Sequence, residues 1–214
     1  LWQPELSFSS SGTSGDNTSR HPVRNLQAYE ENTLRGFSAF YGDPADLVTL
    51  ALLPAYLERQ GSSLVYMADY FIRRSRYAES GFFLHNNPGL VKIIETCQQK
   101  RIPTLLLGVS FALWDLAEQF QLPGDNLIIM ETGGMKGRRE EIVREELHRI
   151  LLQSFGVTSI HSEYGMTELF SQAYSQGDGI FFPAPTMQVR PREITDPFAE
   201  APLGRTGVLD IIDL

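Results

Sequence analysis

The chain has 214 residues, of which 42% are hydrophobic, enough to bury the core of one domain and at most a fragment of a second. The formal net charge of -8 argues against broad binding to nucleic acid or to an anionic membrane, so any phosphate site must be local. A single cysteine, Cys97, excludes a disulfide within this sequence and a cysteine-rich zinc site.

The predicted elements follow one another as strand-length apolar runs that alternate with segments of helical periodicity. The predicted strands cover residues 47–53, 80–85, 103–109, 126–131 and 156–162. The predicted helices cover VRNLQAYEENTLRGFSAF, PAYLERQGSSLVYMADYF, GLVKIIETCQQK, FALWDLAEQF and KGRREEIVREELHRILLQSF. This alternation is typical of an α/β fold with a largely parallel sheet flanked by helices. After residue 178, short strands between prolines and glycines predict a short antiparallel β region at the C-terminal end.

No apolar run approaches the roughly 18 residues that cross a bilayer. The first ten residues, LWQPELSFSS, lack the basic and apolar regions of a secretion signal. We therefore expect no transmembrane segment and a cytoplasmic location.

A serine-rich stretch near the start, SFSSSGTSGDNTSRH, combines many hydroxyl groups with Gly12 and Gly15. Backbone amides freed by the glycines, together with the hydroxyls, would form a cradle for phosphate oxygens, and Arg20 would add a charge-assisted contact. The stretch lacks the GK[ST] ending of a Walker A motif. A flexible connector of this composition is the open alternative.

A second cluster, HSEYGMTE, lies where a predicted strand gives way to a turn and a short helix. Ligands collect at the carboxyl ends of strands in open α/β sheets. Tyr164 offers a flat face for stacking a base, and Gly165 allows close approach of the backbone. Thr167 offers a hydroxyl, and Glu168 a hard oxygen ligand suited to Mg²⁺. The alternatives are a packing role for the tyrosine and a helix-capping role for the glutamate.

A third cluster, METGGMKGRRE, also lies at the end of a predicted strand. Gly133 and Gly134 permit a tight turn that comes close to a ligand, and Lys136 or the following helix N-terminus would meet negative charge. A plain turn between strand and helix is the alternative.

In chain order, SSGTSG, GGMKG, YGMTE and GRTGVLDIIDL resemble the adenylate-forming superfamily of acyl- and aryl-CoA ligases. The resemblance spans Phe8 to Leu214 and is strongest to the acyl-protein synthetases of bacterial luciferase operons and to phenylacetate-CoA ligase-like proteins. It implies part of the large N-terminal domain of such an enzyme. Residues 1–177 would form the α/β nucleotide-binding core and 178–214 the start of an incomplete β-rich subdomain, with the C-terminal lid domain absent.

The resemblance also implies a role for each motif. Gly133 and Gly134 would border adenine, and Tyr164, followed by Gly165, would stack on it. Thr167 and Glu168 would be the catalytic residues, which contact the α-phosphate and ligate Mg²⁺ respectively. The residues that would hold the β- and γ-phosphates of ATP are Ser10, Ser11, Gly12, Thr13, Ser14 and Gly15. Related ligases continue this loop with a lysine, whose role here is absent or taken by Arg20.

The implied reaction uses ATP and Mg²⁺ to activate a carboxylic acid as an acyl-adenylate. The acyl group then passes to a thiol, either coenzyme A or a protein cysteine. We expect no nucleic-acid partner, and a homo-oligomer is compatible with the resemblance.

Two alternatives stay open at this stage. One is a truncated nucleotide-binding module without activity. The other is a serine hydrolase, because TLLLGVSFALWDL places Ser110 between a strand and a helix as in a nucleophile elbow. Asp125 and either His148 or His161 would complete its triad, although Ala112 stands where the second glycine of the motif belongs.

Overall fold

The computed structural model describes residues 2–10, 19–54, 61–84, 86–122, 124–133, 139–196 and 198–213. The strands are β1 (Leu6–Ser9), β2 (Arg20–Val23), β3 (Val48–Leu52), β4 (Gly81–Phe82), β5 (Thr104–Val109), β6 (Leu127–Thr132), β7 (His161–Tyr164), β8 (Ala173–Ser175), β9 (Phe182–Pro183), β10 (Met187–Arg192) and β11 (Val208–Asp213). The α-helices are α1 (Leu26–Tyr41), α2 (Ser63–Arg74), α3 (Asn87–Gln99), α4 (Ser110–Gln119) and α5 (Arg144–Phe155).

The central sheet has the strand order β4-β3-β5-β6-β7-β8-β9. Its first five strands are parallel, and β8 and β9 add antiparallel pairs beyond β7. Every residue of β3 and of β5 is buried. Because successive side chains of a strand point to opposite faces, this burial requires packing on both faces of the sheet. The predicted α/β fold with a largely parallel sheet and flanking helices is confirmed.

The C-terminal part of the chain forms a separate antiparallel pair, in which β10 runs from Met187, opposite Asp213, to Arg192, opposite Val208. This confirms the predicted antiparallel region at this end. The division of the chain at residues 177 and 178 stays a prediction.

Several predicted boundaries were wrong, each for a local reason. Helix α1 begins at Leu26 and not at Val23, because Arg20–Val23 form a strand and the side chain of Asn25 caps the helix. Helix α2 begins after the cap Ser62, and residues 55–60 of the predicted helix lie outside the described residues. The predicted strand 156–162 begins only at His161, because Gly156 ends α5 in the left-handed conformation with φ 60°.

The last predicted helix is also shorter than its periodicity suggests. Residues 140–143 are not helical and α5 begins at Arg144, while 134–138 lie outside the described residues. Arg139 is held against α4, because its guanidinium lies 4.4 Å from the centre of the Trp114 ring and donates to Asp115 and Glu118. This tertiary contact overrides the local helical pattern.

In the part of the chain that the structure describes, none of the helices has the length and apolar character needed to cross a membrane.

The cap of α1 leads to a stability prediction. The Asn25 Oδ1 atom accepts the backbone N–H of Ala28 at 3.1 Å, so Asn25→Ala leaves that donor without its partner. We expect a loss of about 1 kcal/mol in the free energy of unfolding, measured by urea titration. Asn25→Ser is the matched control, because its hydroxyl still caps the helix, and equal stability of the alanine variant and the wild type would contradict the assignment.

Candidate functional site

The serine-rich loop connects the two strands of a small antiparallel hairpin, β1 and β2. Ser10 and Ser19 close its base: the Ser10 N–H donates to the Ser19 carbonyl at 3.0 Å, and the Ser19 N–H and hydroxyl donate to Ser10 Oγ at 3.1 and 2.9 Å. Of the predicted phosphate-binding residues, Ser10 and Arg20 are within the described residues. The others lie outside them: Ser11, Gly12, Thr13, Ser14 and Gly15.

The two faces of this hairpin differ in what they approach. Phe8 pairs with His21, and Ser9 pairs with Arg20, so the first pair shares one face and the second pair shares the other. Phe8 is buried, whereas Arg20 is exposed. The His21 Nε2 atom lies 4.0 Å from Glu168 Oε2 and 3.2 Å from Ser19 Oγ. The base of the serine loop therefore lies beside Glu168 of the second cluster.

An aromatic cluster fixes this approach. The Phe8 ring lies 4.9 Å from Tyr29 of α1 and 5.7 Å from Tyr66 of α2, measured between ring centroids. Tyr29 in turn lies 5.6 Å from Phe170, two residues after Glu168. Each such aromatic pair adds about 0.5–1.5 kcal/mol beyond its buried area. The cluster joins the hairpin to both helices and to the chain that follows Glu168.

Two hydrogen bonds to the last strand of the C-terminal antiparallel pair stabilise the same segment. The Asp213 Oδ2 atom accepts the backbone N–H groups of Phe170 and Ser171, the latter at 2.9 Å. This carboxylate at the end of β11 satisfies two amides in a stretch without regular structure. Sequence reasoning did not identify Asp213 as a residue that supports the site.

The second cluster leaves the sheet at the end of β7. Residues 165–172 form turns and no helix, so the predicted short helix after the strand was wrong, and Glu168 does not cap a helix. The Tyr164 side chain is 37% exposed, with its hydroxyl 3.1 Å from Met166 Sδ. Thr167 lies half-buried in the same turn, and the Glu168 side chain is 43% exposed. An aromatic ring and a carboxylate are thus accessible to a ligand.

The third cluster begins on the neighbouring strand. Gly133 follows β6 with φ 67°, a conformation that favours glycine. Because Thr132 pairs with Glu163 in parallel register, Gly133 and Tyr164 leave adjacent strands at the same edge of the sheet. Gly134 lies outside the described residues.

Two buried carboxylates connect the ends of β6 and β7, and sequence reasoning missed both. Glu131 Oε1 accepts the Ser162 hydroxyl at 2.9 Å on one face of the sheet. Glu163 Oε2 accepts the Thr132 hydroxyl at 2.5 Å on the other face. Each strand thus receives a hydrogen bond immediately before the turn that carries Gly133 or Tyr164. The only sequence signal was that Glu131 is a charged residue near the end of an otherwise apolar strand, and Glu163 lies in a polar strand without such a signal.

The surroundings of Glu131 favour its ionised form. Burial alone raises its pKa, but the nearby His148 imidazole and the hydrogen bonds from Ser110 and Ser162 outweigh burial and hold the pKa below its usual value. The His148 Nε2 atom lies 3.6 Å from Glu131 Oε1, and Arg144 Nε lies 3.9 Å from it. A cleft of about 150 Å³ opens beside the carboxylate. It is lined by Ser110, Glu131, Gly133, Glu141, Ile142, Arg144 and Leu147.

Glu163 has the opposite electrostatics. Burial is the main reason that its pKa is raised to about 7. The Thr132 hydroxyl partly offsets this effect, and the charge of Glu131 adds to it. A Cβ atom at Gly165 would lie 2.5 Å from Glu163 Oε1, so only glycine lets the chain turn this closely over the carboxyl group. Glu163 thus supports the turn after Tyr164 from below.

The serine hydrolase alternative is contradicted by the arrangement around Ser110. Its hydroxyl lies 2.8 Å from Glu131 Oε2 and 2.8 Å from the Gly133 carbonyl, and so faces two acceptors. His148 approaches the other carboxylate oxygen, Glu131 Oε1, at 3.6 Å, so Glu131 and not the histidine receives the Ser110 proton. The His161 ring lies between the Tyr41 hydroxyl and Ser159 Oγ, each at 3.2 Å. Asp125 precedes β6 and therefore lies at the opposite edge of the parallel sheet from Ser110. Ser110, Asp125 and His161 therefore do not form a catalytic triad.

Among the described residues, no group of three or more histidine, cysteine, aspartate or glutamate side chains converges to hold a metal ion. Mg²⁺ commonly binds through one or two carboxylates together with phosphate oxygens of a substrate. A single accessible carboxylate at Glu168, beside a loop suited to phosphate, fits that mode of binding.

No family model matches the sequence, and no curated protein matches it. Solved structures do match. A 2-hydroxyisobutyryl-CoA ligase in complex with 2-HIB-AMP and CoA is 12% identical with a TM-score of 0.64, covering 99% of this chain and 45% of that chain. O-succinylbenzoate coenzyme A synthetase from Bacillus subtilis, in complex with ATP and magnesium ion, is 15% identical with a TM-score of 0.60, covering 97% and 40%.

Coronafacic acid ligase from Pectobacterium brasiliense is 14% identical with a TM-score of 0.55, covering 83% of this chain and 34% of that chain. At these identities the similarity shows the fold. The chain has a fold found in acid–CoA ligases, and it spans less than half the length of those it matches.

The raised pKa of Glu163 predicts a pH-dependent difference between two variants. Its folded pKa of about 7 lies above the ordinary 4.5, so the unfolded chain ionises first and stability falls as the pH rises between these values. Glu163→Gln has no proton to lose, and its side-chain oxygen still accepts from Thr132. We expect similar stabilities below about pH 4 and an advantage of roughly 3 kcal/mol for Glu163→Gln near pH 8.

Urea unfolding of both proteins across this pH range measures the difference. Glu95→Gln, at an exposed position of α3, is the control and should show no comparable divergence. A stability difference between Glu163→Gln and the wild type that stays constant with pH would contradict a neutral buried Glu163.

The burial of Ser110 predicts inertness toward a fluorophosphonate. Ser110 is only 4% exposed, and two nearby acceptors compete for its hydroxyl proton. We therefore expect no adduct by peptide mass spectrometry. An adduct on the wild type that disappears in Ser110→Ala would restore the hydrolase alternative.

Proposed function

We propose that this chain carries the nucleotide-binding part of an ATP-dependent enzyme that activates a carboxylic acid as an acyl-adenylate and transfers the acyl group to a thiol. The observation that carries the proposal is the approach of the serine loop to Glu168, with His21 Nε2 4.0 Å from its carboxylate, at the sheet edge where Gly133 and Tyr164 also emerge. The shared fold with acid–CoA ligases supports it, since one of them was solved with ATP and magnesium ion.

In this proposal the three clusters together contact the adenine and the phosphates of the nucleotide. The exposed ring of Tyr164 stacks on adenine, with Gly165 leaving room for it and Gly133 and Gly134 on the other side. Thr167 donates to the α-phosphate. Ser10 and the rest of the loop, Ser11, Gly12, Thr13, Ser14 and Gly15, hold the β- and γ-phosphates, with Arg20 as a further candidate. Glu168 ligates Mg²⁺, which neutralises phosphate charge when bound.

The chemistry needs positioning and charge neutralisation more than a protein nucleophile. A substrate carboxylate attacks the α-phosphorus, and pyrophosphate leaves toward the loop hydroxyls and amides. Neither Ser110 nor Cys97 offers an accessible nucleophile, because Ser110 is buried among acceptors and Cys97 is fully buried in α3. Burial raises the pKa of the Cys97 thiol, which disfavours Cys97 as the acceptor, and the proposed acceptor is coenzyme A or a different protein cysteine.

The finer assignment within this class is also a proposal. The motif order favours an acyl-protein synthetase or a related acyl-CoA ligase, acting in the cytoplasm and with homo-oligomer formation allowed. A second candidate is a nucleotide-binding module that does not by itself complete the reaction. ATP–pyrophosphate exchange with a panel of carboxylic acids separates the two.

Glu168→Gln tests the nucleotide site directly. Removing the carboxylate charge while keeping the side-chain size should weaken binding of ATP in the presence of Mg²⁺ by about tenfold or more, because the metal loses an anionic ligand. Binding without Mg²⁺ should change little. Isothermal titration calorimetry gives both dissociation constants.

Glu95→Gln makes the same chemical change on exposed α3 and serves as the matched control. If Glu168→Gln binds magnesium–ATP as tightly as the wild type and the control, Glu168 has no metal-binding role.

A further inference from the structure

A chain of hydroxyl and imidazole groups connects Glu168 with the base of the serine loop. His21 Nε2 lies 3.2 Å from Ser19 Oγ, and the Ser19 hydroxyl donates to Ser10 Oγ at 2.9 Å. Ser10 Oγ also accepts the Ser19 N–H at 3.1 Å. His21 is the last residue of the serine-rich stretch, but its neighbour Arg20 was the predicted cation and His21 was assigned no role.

The direction of these hydrogen bonds is set by counting protons. The Ser19 proton goes to Ser10, so the contact with His21 is a hydrogen bond in the form of the ring whose Nε2 carries a hydrogen, with Ser19 Oγ as the acceptor. Ser10 Oγ receives two donors, and none of the described residues accepts its own proton. That proton is therefore available to an acceptor at the loop, such as a phosphate oxygen.

His21 also occupies the face of the hairpin that matters for the site. Its cross-strand partner Phe8 is buried in the aromatic cluster, which fixes this face toward the Glu168 segment. Arg20 pairs with Ser9 on the other face. The separation of 4.0 Å between His21 Nε2 and Glu168 Oε2 is short enough for electrostatic attraction but leaves the Glu168 oxygens available to a metal ion.

We propose, on the basis of the nucleotide site proposed above, that His21 is a positioning residue of that site. It donates to Ser19 so that the Ser10 hydroxyl points its proton at the polyphosphate, and it holds the loop base at a fixed distance from the Glu168 carboxylate. The class of ligand this favours is a polyphosphate that carries Mg²⁺, because one end of the chain offers a donor and the other an anionic ligand.

The test compares four variants of the same chain by calorimetric titration with magnesium–ATP. His21→Ala removes the donor, and we expect its dissociation constant to rise about tenfold, as for the loss of a hydrogen bond that serves a charged ligand. His21→Gln keeps an N–H donor and should stay within about threefold of the wild type. Arg20→Ala should weaken binding less than His21→Ala does. Arg24→Ala, at an exposed position after β2, should have no effect.

The outcomes separate this inference from the proposed function. Tight binding by the wild type with unchanged binding by His21→Ala would overturn the role of His21 alone, as would equal losses in His21→Ala and His21→Gln or a larger loss in Arg20→Ala. Absence of binding by the wild type would overturn the nucleotide site and this inference together. Thermal unfolding of each variant identifies a loss that arises from misfolding.

A second measurement needs no variant. Nitrogen-15 NMR of the wild-type imidazole distinguishes which ring nitrogen carries hydrogen. The donor chain requires a hydrogen on Nε2 of His21. A neutral ring with its hydrogen on Nδ1 alone would overturn the proposal.

Discussion

The candidate site depends on the aromatic cluster formed by Phe8, Tyr29, Tyr66 and Phe170. Phe8 belongs to a two-stranded hairpin, and such a pair is at best marginally stable alone. The Phe8 ring contacts Tyr29 of α1 and Tyr66 of α2, and Tyr29 contacts Phe170 of the segment after Glu168. One buried cluster therefore fixes three regions that are distant in sequence. The pairing of β1 and β2 covers only four residues of each strand and does not by itself hold the serine loop beside Glu168.

The sheet supplies the other half of the site. Parallel β6 and β7 end together, and their last residues are connected by buried carboxyl groups that differ in charge state: Glu131 is held ionised by its donors, whereas burial raises the pKa of Glu163 to about 7. One ionised and one largely neutral group avoid the repulsion of two buried charges on adjacent strands. The resulting hydrogen bonds link the two strand ends immediately before Gly133 and Tyr164, and a fixed spacing of these ends favours the positioning of a ligand.

The sequence predicted the sheet well because buried parallel strands are continuous apolar runs, as in β3 and β5. It missed the strand Arg20–Val23, because four residues with a proline carry no strand pattern. It also missed Glu131, Glu163 and His21, whose roles depend on partners far along the chain. The sequence singled out Tyr164 and Glu168 because their local pattern is itself distinctive, and their roles stay a prediction. Their location beside the serine loop depends on tertiary contacts that the sequence does not reveal.

The central claim is that the three clusters bind one ligand, and amide chemical-shift titration of the chain with magnesium–ATP tests it most directly. The account predicts that the signals of Ser10, Gly133 and Tyr164 shift together and fit a single dissociation constant. Shifts confined to one of the three, or distinct constants for each, would contradict a shared nucleotide site.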